Sequence, residues 1–361
     1  MKFLVPVFAA ILFISCGTPK KEVAYNPEAD TLKYEQEVHL RNLKQMTFGA
    51  DNAEAYWSYD NKKLVFQSNN REWGNGCDQI FYMDATTPKT PSSKPPIIST
   101  NLGRTTCAYF LPDETIVYGS THMEDISCPE APEREPGSAY VWPIYDTYDI
   151  YRANKNGEII DTLTNSRSYD AEATVSPQGD KIVFTSNRSG DLELYTMDID
   201  GSNVFQVTNE LGYDGGAFFS PDGKQLLFRA SRPKTDEEIK KYKDLLAQGL
   251  VEPTNMELFL VNVDGTNMRQ ITNLGNANWA PFFHPSGKKI IFSSNHHTER
   301  GFPFNLFMIN PDGTGLEQVT FDDTFDSFPM FSHDGKKLVF SSNRHNGGTR
   351  DTNVFTADWV E

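Results

Sequence analysis

Short apolar stretches separated by turn-forming residues dominate the chain, and they are too brief for core helices. One unit recurs. A short aromatic strand leads into a tight turn such as Ser220-Pro221-Asp222-Gly223, where Pro presets φ and Asp and Gly accept the conformations that follow. An apolar strand comes next, as in Ile290-Ile291-Phe292. The third strand alternates, as in Leu192, Leu194 and Tyr195-Thr196-Met197. A second turn, Asp200-Gly201, Asp264-Gly265 or Asp312-Gly313, leads to a fourth strand, Gln206-Val207-Thr208, Gln270-Ile271-Thr272 or Gln318-Val319-Thr320.

The clearest copies begin at Tyr169, Ala217, Pro281 and Pro329, and degenerate copies begin at Ala55 and Ala108. Six four-stranded units predict an all-β, six-bladed β-propeller over residues 37–361. The last copy stops at Trp359-Val360-Glu361 after its third strand, while Leu43 to Phe48 matches Gln318-Val319-Thr320-Phe321. An N-terminal strand is therefore expected to close the last blade and remove an open sheet edge.

Two repeats carry insertions between their second and third strands. Residues 123–143 form a loop rich in Pro and Glu. Residues 234–250 predict one short helix: Thr235 and Glu238 make a capping box, and Ile239, Tyr242, Leu245 and Leu246 share an apolar face that would pack on the propeller.

The N-terminus has a different pattern. Met1-Lys2 precedes an apolar run from Phe3 to Ile14, too short to span a bilayer. The run ends in Ile14-Ser15-Cys16-Gly17, which resembles a lipoprotein signal-peptidase site. The reading is a signal peptide over 1–15, lipidation of Cys16 and a polar tether over 16–36. By resemblance to known lipoprotein sorting rules, Gly17 in place of Asp after the cysteine favours the outer membrane; the expected location is that membrane, facing the periplasm. Membrane contact would run only through the anchor.

The 361-residue chain carries a formal net charge of −16, which excludes the basic footprint of a nucleic-acid or anionic-membrane surface. Candidate chemistry gathers where each first strand begins and each second strand ends, on one face around the central channel. The singled-out residues are Arg104, His122, Asp170, Glu172, Asp214, Arg229, Arg232, Asn278, His296 and Asp326. Guanidinium forks hold carboxylates or phosphates, so a small anionic ligand is one candidate, and carboxylates hold cations or amines. The competing reading is structural, with Asp–Arg pairs tying neighbouring blades together. The recurring S-N-R spelling favours that role for Arg188 and Arg344; Arg104, His122, Asp214, Arg229, Arg232 and His296 recur less. His284 and His333 fall in turns of the opposite face and are expected to be exposed. No tight metal-ligand spacing occurs, so neither catalytic nor metal residues are assigned, although a divalent ion on the channel-face histidines stays open. An oxidising compartment would permit a disulfide, with Cys77–Cys128 ahead of Cys107–Cys128.

The S-P-D-G, F-x-S-N-R and L-Y-x-M-x-x-D-G spellings resemble the TolB-like propeller family over about residues 40 to 361. That resemblance implies a binding module of the cell envelope for a protein, peptide or small ligand. Oligogalacturonate lyases resemble the same repeat and use a histidine-held metal, which makes a metal-dependent lyase or hydrolase the alternative. No G-x-S-x-G elbow occurs, which removes a serine peptidase.

Overall fold

The computed structural model describes residues 30–74, 76–87, 89–130, 140–299 and 301–361. The signal peptide and Cys16 lie outside these residues, as does part of the 123–143 insertion. Six antiparallel sheets form six blades, and the first strand of each is innermost. These inner strands are Asn52–Trp57, Thr105–Phe110, Asp170–Val175, Asp214–Phe219, Asn278–Phe283 and Asp326–Phe331. Blade one has three strands, with Ile97 bridging Phe81 where a fourth would pair.

Burial follows the repeat. Phe66, Tyr118, Phe184, Phe228, Phe292 and Phe340 occupy the same place in the second strands, and all are fully buried between blades. Each contributes roughly 1.5–3 kcal/mol of apolar burial. Closure of the ring matches the expectation: Leu40–Gln45 pairs antiparallel with Asn353–Trp359 as the outer strand of blade six.

Residues 30–36, expected in the tether, are instead docked on the propeller. Tyr34 donates its hydroxyl to Asp322 at 2.6 Å, and Leu32 accepts a bond from Arg344. Glu37, at the end of this segment, is fully buried and takes both arms of the Arg344 guanidinium at 2.9 and 3.0 Å.

The predicted helix, α1, spans Asp236–Leu246 with the Thr235–Glu238 capping box in place. It is more peripheral than expected. None of its residues is buried, and its contact is carried by Tyr242 and Leu246, with the Tyr242 hydroxyl donated to Asp191. After it, Leu250–Val251 pairs with Trp142–Pro143 from the other insertion. Blades two and four are thus joined across blade three by a two-stranded strap.

His284 and His333 are not free on the surface. The ring of His284 packs edge-on against Phe331, and that of His333 stacks on Tyr59, so each fills a seam between blades.

Candidate functional site

Every inner strand carries a β-bulge three residues from its start. In blade three, Ala171 pairs with Thr185, but the next partners are Thr174 and Val183. The bulged residue has positive φ in all six blades: Glu54, Cys107, Glu172, Gly216, Ala280 and Phe328. Five of the six are not glycine, so the left-handed backbone costs on the order of 1 kcal/mol at each. The bulge re-aims the strand so that this column rings the channel. Two residues further on stands a second ring: Tyr56, Tyr109, Thr174, Phe218, Phe282 and Met330. Tyr56 of blade one touches Phe218 of the opposite blade four, with ring centroids 5.7 Å apart, and Phe218 touches Phe282 at 5.1 Å. These rings plug the channel below.

Above the plug lies a cavity of about 760 Å³. The strap reaches over it and supplies Trp142, Pro143 and Ile144 to its wall. The wall is two-sided. Blades one to three present Glu54, Arg104, Tyr169 and Glu172, with Arg229 entering from blade four. Blades four to six present Gly216, Trp279, Ala280, Phe304, Phe325 and Phe328.

Glu172 is the hub of the polar wall. It accepts bonds from Thr185 Oγ1 at 2.7 Å, the Tyr213 hydroxyl at 2.8 Å and Gly216 N at 2.9 Å, and it pairs with Arg229. Burial alone would raise its carboxyl; the Arg229 guanidinium and these bonds hold it below the usual carboxylate range. Arg229 lies between the rings of Trp142 and Tyr213, 5.3 and 5.2 Å from their centroids, and its buried Nε has no hydrogen-bond partner. Glu54 is held differently. Burial pushes its carboxyl up to about 7, and its hydrogen-bond partner is the Cys107 thiol at 2.9 Å. Burial and the Glu54 charge in turn push Cys107 well above the ordinary thiol range.

Of the ten singled-out residues, Arg104, Glu172 and Arg229 line this cavity. Arg104 pairs with Asp78 at 3.2 Å. The other seven form clamps at the strand ends. Asp170, Asp214 and Asp326 bind Arg188, Arg232 and Arg344 of their own blades, so the pairs tie strands within a blade rather than neighbouring blades. Arg188 also holds Ser186 Oγ at 3.0 Å and lies 5.0 Å from the Tyr195 ring; Arg344 repeats this on Ser342 and Phe355, 5.9 Å from the ring. His122 and His296 occupy the same place in their repeats: Nδ1 lies 2.9 Å from Ser120 or Ser294, and the ring packs on Tyr151 or Phe307. Burial pushes both histidines down, as suits a neutral ring. Asn278 stands in for the clamp aspartate, accepting from Ser294 and donating to Glu257. The less repetitive spelling of Arg232, His122 and His296 thus hides one structural role filled by different side chains.

Sequence reasoning singled out none of Glu54, Trp142, Tyr213, Trp279 and Phe328, and weighed Cys107 only for a disulfide. The signal was the bulge column itself, where residue type changes from blade to blade. Cys77, Cys107 and Cys128 are free thiols. Burial and the facing Cys128 thiol push the Cys77 thiol up to about 12.

A divalent metal does not fit the donor set. Among the described residues no three His, Cys, Asp or Glu side chains converge to hold one, and His122 and His296 are engaged in separate blades.

The TolB β-propeller domain model matches residues 139–245. The fold is that of a TolB-like propeller. A structure assigned as TolB from Agrobacterium tumefaciens is similar at 20% identity, covering 86% of this chain and 91% of that one, with a TM-score of 0.53. A gluconolactonase from Xanthomonas campestris is similar at 12% identity, over 89% and 91%, with a TM-score of 0.54. An oligogalacturonate lyase in complex with manganese is similar at 12% identity, over 88% and 95%, with a TM-score of 0.50. These identities show the fold alone. No curated protein matches the chain.

Proposed function

We propose that this propeller is a binding module of the cell envelope whose strapped channel cavity takes a small organic ligand. One observation carries the reading: a cavity of about 760 Å³, plugged below and strapped above, with a polar wall facing an aromatic one. A volume of this order suits a ligand of drug size. The spelling around Cys16 supports delivery to the envelope on a lipid, with the tether leading to the segment docked at Glu37. The Cys77–Cys128 disulfide remains part of the proposal, because the two thiols face each other and an oxidising compartment would close it.

Calorimetric titration with phenethylamine, phenethyl alcohol and phenylacetate tests the cavity. Saturable binding of at least one probe is expected, weakened in Trp142→Ala. No binding by any of the three, or binding that ignores Trp142→Ala, sinks the reading.

A second reading, an enzyme, draws on Glu54 and Glu172. Two carboxyls in one cavity, one held up near 7 and one held down, are the arrangement that separates a proton donor from a charged partner. The fold is shared with a lyase and a lactonase. The engagement of Glu172 by four donors favours binding over turnover, since a carboxylate so held has little freedom to move protons.

A further inference from the structure

The polar wall is uneven in its charge. Arg229 is committed to Glu172, and Arg104 is committed to Asp78. Glu54 stands on the same wall with no ion pair of its own among the described residues: Arg229, the cation that faces it, is taken by Glu172, and its hydrogen-bond partner is the Cys107 thiol, which reaches only Oε2. A carboxylate turned into a cavity without a counter-charge is costly to ionise, and a ligand that brings the missing charge recovers that cost. The rest of the lining suits the same ligand. Tyr56, Trp142, Tyr169, Tyr213 and Trp279 turn aromatic surface toward the space, and ring faces attract cations. The wall around Phe304, Phe325 and Phe328 carries no charged side chain among the described lining residues and calls for an apolar body. An anion would meet three carboxylates, Glu54, Asp78 and Glu172, and two guanidiniums that are already paired, Arg104 and Arg229. The net charge of −16 draws cations toward the molecule from a distance.

Resting on the binding reading above, we infer that the cavity takes an organic ammonium ion: a compact primary or quaternary amine with an apolar or aromatic body, its cationic head against Glu54 and its body against Phe304, Phe325 and Phe328.

Binding is then linked to proton release. The groups facing Glu54 are Tyr56 on its own strand, Cys107 and Glu172 on the next two inner strands, and Arg229 from blade four. Tyr56 and Cys107 titrate well above neutrality, Glu172 stays charged and Arg229 stays protonated. Glu54 is therefore the group that changes state between pH 5.5 and 8. The ammonium ion requires its charged form, so affinity for an amine rises with pH across that window and a proton leaves on binding.

The test compares the three phenyl probes on wild type and Glu54→Gln by calorimetry at pH 7. Wild type is expected to prefer phenethylamine to phenethyl alcohol by about tenfold or more and to reject phenylacetate. In Glu54→Gln the preference collapses toward unity while the alcohol still binds. Titrations in buffers of different ionisation enthalpy should show proton release on amine binding to wild type, absent in the variant. An alcohol or phenylacetate that binds as well as the amine overturns the ammonium assignment and leaves the cavity reading standing. If no probe binds, it is the cavity reading that falls. A Glu54→Gln protein that keeps the full amine preference also overturns the assignment.

Discussion

Two concentric regions of this propeller are built from the same repeat and diverge in opposite ways. At the strand ends, the clamps vary in residue type but keep one task. Arg188, Arg344, His122 and His296 all rest on a serine two residues back and on an aromatic ring of the third strand, which for Arg344 is Phe355. In the channel, the bulge column keeps one backbone conformation but not one chemistry, running from Glu54, Cys107 and Glu172 to Gly216, Ala280 and Phe328. Variation at the clamp is tolerated because an imidazole and a guanidinium can both bridge a hydroxyl and a ring. Variation in the channel creates a polar wall and an aromatic wall that no symmetric propeller would have. The lesson is that divergence within a repeat marks a site only where the diverging side chains share a space.

That contrast can be broken at the clamp first. Arg344 is fully buried between Glu37 and Asp326, and removing it leaves two buried carboxylates without a counter-charge. Arg344→Ala is expected to cost about 3–5 kcal/mol in urea denaturation and to free the segment from Asp30 to Glu37 for proteolysis. Loss of less than about 1 kcal/mol would show that the clamp is not structural.

The next effect belongs to the channel. The folded state holds the Glu54 carboxyl at about 7 against an ordinary 4.5, so the folded protein binds that proton more tightly than the unfolded chain. Its contribution to stability is therefore full below the unfolded value, declines as pH rises between 4.5 and 7, and is flat above. The decline amounts to at most about 3 kcal/mol. Comparing denaturation of wild type and Glu54→Gln at pH 5 and pH 8 should show the variant gaining relative stability at the higher pH; parallel curves would remove the uncompensated carboxylate.

The smallest effect sharpens the division. His296→Ala loses one hydrogen bond and a ring contact in blade five, for a cost of about 1 kcal/mol, and leaves binding of the phenyl probes untouched. A shift in probe affinity comparable to that of Trp142→Ala would move the histidine column back into the site.

Much of the molecule was legible in the chain. The turn column counted the blades, the unpaired last strand called for a partner near Leu43, and Thr235 with Glu238 marked the start of α1. Each of these is a local signal: a turn needs Pro, Asp or Gly, a cap needs a short polar side chain, and a blade needs alternating apolar residues. Arg104, Glu172 and Arg229 were found because they stand at polar strand ends, but so do Asp170, Asp214, Arg232 and Asp326, and the chain does not distinguish the two groups.

Tertiary structure decided that distinction, because it depends on which way a side chain leaves the strand. A bulge turns Glu54, Cys107 and Glu172 toward the axis, whereas the residues at the strand starts turn into their own blade to meet a guanidinium, an imidazole or a serine. It also decided the strap, since Trp142 and Val251 are far apart in the chain and meet only when two insertions cross over blade three. The sequence by itself determined the ring, its closure and its count of blades, because those rest on contacts between neighbouring strands. The cavity and its two walls arise between opposite blades, where no local rule reaches.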